Sequence, residues 1–332
     1  MRVLVVKTSS MGDLIHTLPA LTDAEKAHPG IRFDWVAEEG FCEIPKMHPA
    51  VDKVIPVAIR RWRREVVSSI ANGQITSMVS QLRQKDYDYI IDAQGLIKSA
   101  MVTFLAHGVR CGLDYKSCKE PFAALGYQKK VNVPKKLHAI ERVRRLFSEV
   151  LGYQFDPNEM ESGLDTKLFN TAFDRQPYVV FLHGASHPAK LWPKDSWVKL
   201  AMLFSQQGYT IYLPWGNEEE KQRAEAIAQT SKNVVILPKM NLNEIACLLN
   251  QAKLVIGVDT GLAHLAAALD TPGITLYLGT VPGLTGACGH HQTCLTQVND
   301  KIGNYPASLD VIYHQQITVE RVWQAAGTKL NH

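Results

Sequence analysis

Long apolar runs, paired cysteines, low-complexity tracts and a dinucleotide-binding glycine fingerprint are all missing from this 332-residue sequence. No stretch reaches the roughly 18 consecutive apolar residues of a membrane-spanning helix. The chain opens on the strand-like "RVLVV" with no apolar signal-peptide core before it. Its six cysteines (42, 111, 118, 247, 288 and 294) form no C-x-x-C pair and no regular framework, which points to a reducing compartment rather than secretion. These absences predict a soluble, cytoplasmic protein. No G-x-G-x-x-G follows the first strand, which argues against a nicotinamide enzyme. With 46% apolar and 20% charged residues, the composition is that of an ordinary globular protein.

What is present is a repeating alternation. "RVLVV", "RFDWVA", "KVIPV" and "YDYIIDA" in the first half, and "YVVFLH", "YTIYLP", "NVVILP", "KLVIGVD" and "GITLYLG" in the second, are short apolar runs, each followed by a helical pattern. Such alternation predicts parallel sheets built from βαβ units. A polar, turn-rich stretch, "GYQFDPNEMESGLDTKLFNTAFDRQP", separates the halves. The length also favours two domains over one. The expectation is an α/β chain of two Rossmann-like domains, 1–168 and 169–332, with their sheets facing across a cleft. The last amphipathic stretch, "ITVERVWQAA", is a candidate for packing back on the first domain.

The net charge of +4 is unevenly spread: residues 1–150 carry 23 Lys+Arg and 16 Asp+Glu, residues 151–332 carry 13 and 16. A basic first half suggests an anionic partner there. "IRRWRREVV" sets Arg60, Arg61, Arg63 and Arg64 around Trp62 just after a strand, as a candidate clamp for phosphates or carboxylates. The cluster is too short for nucleic acid, and no nucleic-acid-binding module accompanies it.

Three stretches carry the chemistry. In "KTSSMGDLIHTLPAL" a strand gives way to a helix through two serines, a glycine and Asp13, at the carboxyl edge where open α/β sheets bind ligands. In "KLVIGVDTGLAHLAAALD" a strand ends at Asp259 and a helix opens at Thr260 and Gly261. The helix start favours an anion, and His264 shares the face of Thr260. "FLHGASHPAKLWPKDSW" leaves a strand through a small polar loop that ends at Lys190, a point charge suited to a phosphate. The two loops together describe a diphosphate site. Glu218, Glu219 and Glu220 open a further helix, where acids are favoured in any case, and one of them is placed to take ribose hydroxyls. Two metal-like patterns are set aside: "DYD" at 86–88 reads as a turn before a strand, and "CGHHQTC" at 288–294 crowds its ligands unlike a structural zinc site.

On "KTSSMGDLIHTLPALTDA", "IPVAIRRWRR", "IDAQGLIKSA", "AKLWPKDSW", "LPWG", "LPKM" and "VDTGLAHLAAALD", the sequence resembles the bacterial lipopolysaccharide heptosyltransferases of glycosyltransferase family 9. "TSSMGD" and "RRWRR" favour the heptosyltransferase I branch over the heptosyltransferase II branch. The resemblance covers nearly the whole chain. It implies a GT-B architecture and a metal-independent, inverting transfer without a cofactor. The implied donor is ADP-L-glycero-β-D-manno-heptose and the acceptor Kdo2-lipid A, at the cytoplasmic face of the inner membrane, an anionic surface. It places the donor site on Ala185, Ser186, Lys190, Glu220, Met240, Asp259, Thr260, Gly261 and His264, and the base on Asp13. Ser10, the four arginines and Lys98 are the expected acceptor contacts. "GASHPAK" departs from the threonine pair of the family, so any contact at Ala185 comes from backbone. The alternatives are another GT-B transferase, a nucleotide-sugar epimerase on the same plan, or a non-catalytic protein that binds anionic lipid.

Overall fold

The computed structural model describes residues 1–62, 64, 69, 72–169, 173, 176–229, 231–299 and 309–330. The chain divides into two compact units, Met1–Asp156 with Glu161–Leu164, and Asp165–His332 with Pro157–Met160.

The first unit holds strands β1 (Arg2–Val6), β2 (Arg32–Glu38), β3 (Val51–Val57), β4 (Asp86–Asp92), β5 (His107–Leu113) and β6 (Lys129–Val131). They form one sheet in the order β3-β2-β1-β4-β5-β6, with every pairing parallel. Around it lie α1 (Met11–Ile15), α2 (Leu18–Ala27), α3 (Glu43–Lys46), α4 (Ile59–Trp62), α5 (Gln74–Leu82), α6 (Ile97–Thr103) and α7 (Ala139–Leu151). Val3, Leu4, Val5 and Val6 of β1 are fully buried, as expected of a central parallel strand covered on both faces. Leu4, Val36, Ile55 and Ile90 meet Met78 and Leu82 of α5 in one core. Arg144 of α7 grips Asp23 of α2 through two hydrogen bonds of 2.6 and 3.0 Å. That bidentate pair fixes the helix that will carry Arg142.

The second unit holds β7 (Tyr178–Leu182), β8 (Thr210–Leu213), β9 (Val234–Ile236), β10 (Leu254–Val258), β11 (Gly273–Tyr277), β12 (Gln292–Thr296) and β13 (Asp310–Tyr313). Their order is β13-β12-β11-β10-β7-β8-β9, again all parallel. The helices are α8 (Lys194–Gln206), α9 (Glu218–Ala228), α10 (Leu242–Asn250), α11 (Gly261–Ala268), α12 (Pro282–Thr285) and α13 (Val319–Leu330). Trp197, Leu200, Ala201 and Phe204, at helical spacing on α8, fill the core against Phe181.

In the last helix, α13, Val319, Val322 and Ala326 are buried in the core of the second unit. Trp192 Nε1 locks the approach to it by donating to Ile317 O at 3.0 Å. "DYD" does not precede a strand but opens β4, where Asp88 Oδ2 accepts from the Arg2 backbone amide at 2.7 Å. The six cysteines are free thiols; Cys111, Cys118, Cys288 and Cys294 are buried, and Cys42 and Cys247 are half-buried.

Candidate functional site

In the first sheet the order turns at β1 and β4, and ligands of open α/β sheets sit outside the carboxyl ends of the strands at such a switch. The segment leaving β1 is held rigidly there. Trp35 Nε1 donates to Lys7 O at 3.0 Å, and the Thr8 and Ser9 amides donate to Gln94 Oε1 at 3.1 and 3.3 Å. Ser10 caps α1, its amide and hydroxyl both donating to Asp13 Oδ2 at 2.9 and 2.8 Å. Lys7 Nζ lies 3.5 Å from Asp13 Oδ1 and donates to Ala93 O at 3.0 Å. Burial pushes the Asp13 pKa up, but the Lys7 ammonium and the Ser10 hydrogen bonds outweigh it and leave Asp13 below the usual carboxylate value. Burial lowers the Lys7 pKa, against the pull of Asp13 and Asp92.

Behind this turn, at the end of β4, Asp92 is fully buried. It accepts from Tyr127 OH at 2.7 Å and from the Gln94 amide at 2.8 Å. A cavity of about 120 Å³ opens in front, with Lys7, Asp13, His16, Gln94, Lys119 and Arg142 in its wall. Arg142 donates from Nη2 to Ser117 O at 2.8 Å, while its buried Nε has no hydrogen-bond partner among the described residues. Three cations and one exposed-edge carboxylate make this a hollow for an anionic ligand with a hydroxyl to deprotonate.

The second sheet turns at β7 and β10, and there the second candidate site lies. Asp259, one residue past β10, accepts from Lys190 Nζ at 2.6 Å and from Thr280 Oγ1 at 2.7 Å, with His264 Nε2 3.5 Å from its other oxygen. Burial raises the Asp259 pKa, but hydrogen bonds from His264, Lys190 and Thr280 overcome it and hold the carboxyl well below the usual range. Thr260 caps α11 and Gly261 is its first residue; the opening amides have no helical carbonyl ahead of them and favour an anion. Glu220 Oε2 accepts from the Gly216 amide at 2.7 Å, and its carboxyl lies against Gly184, where a Cβ would come within 2.6 Å of it. Glycine at 184 is therefore what lets Glu220 reach the exit of β7.

The expected donor residues Lys190, Thr260, Gly261 and His264 come together at the carboxylate of Asp259, itself one of them, and Glu220 lies against Gly184 at the exit of β7. Ala185 is half-buried against the core, Ser186 is exposed, and Met240 is half-buried just before the cap of α10. On the first unit Ser10 and Asp13 are joined, while Arg61 has other partners. Arg61 Nη2 is engaged by Glu39 at 3.1 Å and Gln74 at 3.3 Å. It lines a separate hollow with Trp62, and Arg64 is exposed. The Arg60 side chain and Arg63 lie outside the described residues. Lys98, in the first turn of α6, is not in the cavity wall. Lys7, Gln94, Lys119, Arg142 and Thr280 were not singled out by the motifs. Lys7 and Gln94 sit one and two residues past strand ends, a signal that was available; the other three arrive from distant segments. "CGHHQTC" turns its thiols inward and its imidazoles outward, and no cluster of three or more metal-ligating side chains occurs among the described residues.

Comparison with known proteins adds a family to this geometry. The model of glycosyltransferase family 9 (heptosyltransferase) matches residues 75–305. Lipopolysaccharide heptosyltransferase 1 of Escherichia coli K12 is 49% identical over 294 residues, covering 88% of this chain and 92% of its own. The enzyme of the same name from Pseudomonas aeruginosa is 47% identical over 296 residues, covering 89% of this chain and 83% of its own. The solved structure of E. coli heptosyltransferase WaaC with ADP superposes with a TM-score of 0.89 at 44% identity, over 99% of this chain and 100% of that one. The two parallel sheets are those of the GT-B class to which that structure belongs. With a family match over most of its length, the chain belongs to glycosyltransferase family 9, the heptosyltransferases.

Proposed function

We propose that this heptosyltransferase moves L-glycero-D-manno-heptose from ADP-L-glycero-β-D-manno-heptose to Kdo2-lipid A, adding the first heptose of the lipopolysaccharide inner core. The observation that carries the reading is the cavity in which the Asp13 carboxylate, kept ionised by Lys7 and Ser10, stands among Lys7, Lys119 and Arg142. An acceptor made of sugar acids suits that wall: its carboxylates meet the cations while one hydroxyl meets the base. The names of the similar heptosyltransferases, and a solved E. coli relative with an ADP-2-deoxy-2-fluoro heptose, support the same donor and pathway.

Transfer needs a base for the acceptor hydroxyl and a charge clamp for the leaving diphosphate. Asp13 accepts the hydroxyl proton as that oxygen attacks the anomeric carbon. The bond from that carbon to the diphosphate oxygen breaks, and the configuration inverts. A carboxylate of low pKa is a modest base, so the proton moves with the attack rather than before it. The departing ADP carries the new negative charge. Lys190, steered by Asp259, and the first amides of α11 stabilise it, in place of a metal ion. Glu220 is placed for ribose hydroxyls. The acceptor is anchored in a membrane, so the enzyme works as a peripheral protein at its cytoplasmic face. No described helix is long and apolar enough to cross a membrane.

The test is to incubate the protein with ADP-heptose and Kdo2-lipid A and weigh the lipid. A gain of one heptose, with ADP released only when the acceptor is present, is expected. Donor consumption without acceptor would instead indicate an epimerase-like activity and overturn the reading.

A further inference from the structure

The basic excess of the first half does not lie with the arginine block. Residues 1–97 carry 12 Lys+Arg and 12 Asp+Glu, whereas residues 98–136 carry 8 and 2. That second segment also bears an apolar surface left open to solvent. Ile97 and Met101 of α6 and Phe104, which caps its C-terminus, are 45%, 65% and 55% exposed, at the spacing of one helix face. On the neighbouring 3₁₀ turn (Pro121–Gly126), Phe122 and Leu125 are 71% and 65% exposed.

These five side chains form one surface. A Cβ on Gly126 would sit 3.2 Å from Ala100 and 3.3 Å from the Phe104 ring, so the turn and the helix touch. Arg110 covers the Phe104 ring at 4.5 Å and donates from Nε to Gly126 O at 3.0 Å. The loop that bears Lys116 and Lys119 is stitched to the start of α6. The Glu120 amide donates to Gly95 O at 3.1 Å, and Glu120 Oε2 accepts from the Ile97 amide at 2.7 Å. Lys130 of β6 stands over the ring of Tyr115, on that loop, at 5.6 Å. Exposed aromatic and aliphatic residues of this kind, bordered by lysines, match the interface of a bilayer with anionic headgroups. There the apolar tips enter the headgroup and acyl boundary, and the cations meet phosphates.

The same segments also line the acceptor cavity. Gln94 is three residues before Ile97, and Lys119 three before Phe122. A ligand whose sugars enter that cavity while its chains stay in the membrane needs the membrane at this edge. We propose that the α6 and 3₁₀-turn face is the surface by which the enzyme docks on an anionic lipid bilayer, beside the mouth of its acceptor cavity. The inference rests on the acceptor reading for its purpose, but on the exposed residues and their charge for its chemistry.

The experiment uses the full chain, vesicles of neutral or anionic phospholipid without any acceptor, and a variant with Met101→Ser, Phe104→Ser, Phe122→Ser and Leu125→Ser. The wild type should co-sediment with anionic vesicles and release with salt, because exposed charges are screened over about 8 Å at physiological ionic strength. The variant should lose binding at least tenfold, while its turnover of a deacylated, soluble acceptor stays unchanged. A second variant, Lys116→Glu with Lys130→Glu, should also lose binding to anionic vesicles. Four-serine protein that folds, as shown by its melting temperature, and still binds anionic vesicles as the wild type does would overturn the proposal. So would unchanged vesicle binding accompanied by a smaller oligomer than the wild type forms in solution, which would make the face a contact between copies. Wild-type protein that binds vesicles but never turns over the deacylated acceptor would sink the acceptor assignment and leave the docking surface standing.

Discussion

Asp13 Oδ2 is taken by two donors from Ser10, which leaves Oδ1, 3.5 Å from Lys7 Nζ, as the oxygen open to an acceptor hydroxyl. In the proposed mechanism one carboxylate caps a helix and serves as base, and the two duties separate in a variant. Asp13→Asn keeps an acceptor for Ser10 and loses the base, so turnover should fall by about 10²–10⁴. The dissociation constant for ADP should not move; near-normal turnover would make Asp13 a cap alone. Because the folded-state pKa of Asp13 lies below 3.8, the base is ionised at neutrality, and kcat/KM should decline only as pH drops below that value. Lys7→Met removes the nearest cation, raises that pKa, and should move the acid limb upward; an acid limb that stays in place would show that Lys7 does not set it. The same depressed pKa contributes stability above the unfolded value and loses it as pH falls through the folded one. On the other unit, Lys190→Met should lower donor kcat/KM by about 10²–10³, the scale of losing one charge-stabilising donor, with acceptor KM unaffected. Steady-state kinetics with each substrate varied separately checks this.

Packing between elements explains why the β4 end is stiff. Gly112 of β5 faces the Tyr127 ring, and a Cβ there would sit 2.6 Å from Cδ2 and 2.7 Å from Cζ of that ring. Tyr127 in turn holds Asp92, whose Oδ1 fixes the Gln94 turn. Gly112→Ala should therefore cost about 1–3 kcal/mol by overpacking, measured by urea denaturation, and should also raise acceptor KM by loosening Gln94. A variant as stable as the wild type would mean that the ring can step aside. How well each element reads from sequence follows from the same packing. β1, β7, β10 and β11 are buried on both faces and read as apolar runs, whereas β4 is buried continuously only at its end, Ile90 to Asp92. β12, "QTCLT", is fully buried yet polar, and nothing local reveals that Gln292 donates to Thr271 O and Thr293 to Asp310. β6, "KKV", has little apolar character, β13, "DVIY", is a short and mostly exposed edge strand, and β5 carries two glycines, a histidine and an arginine. Site residues follow suit. Asp13, Lys190 and Asp259 lie in strand-exit segments and are legible, whereas Lys119, Arg142 and Thr280 reach their sites only through tertiary structure. Charge density in sequence says nothing of partners: Glu39 and Gln74 engage Arg61, which no local pattern announces.

For the molecule as a whole, donor binding should appear as stability. ADP at about 100 times its dissociation constant should stabilise the folded state by about 2.7 kcal/mol, seen as a raised melting temperature by scanning calorimetry. The shift should persist in Asp13→Asn, because the proposed donor groups all belong to the second unit, and shrink in Lys190→Met. Turnover and the ADP shift should both survive EDTA. Activity lost with EDTA and restored by magnesium or manganese would contradict a clamp made of lysine and helix amides. The thiols also offer a way to follow such events. Burial pushes Cys111 and Cys118 up to about 11 and Cys294 to about 12, so they should resist maleimides at neutral pH. Cys42 in the first unit and Cys247 in the second are the half-buried ones. Burial raises these two thiols as well, but their partial exposure makes them the more accessible dye-attachment points, one on each half, and energy transfer between a donor and an acceptor fluorophore there would read the spacing of the halves during turnover without any engineered cysteine.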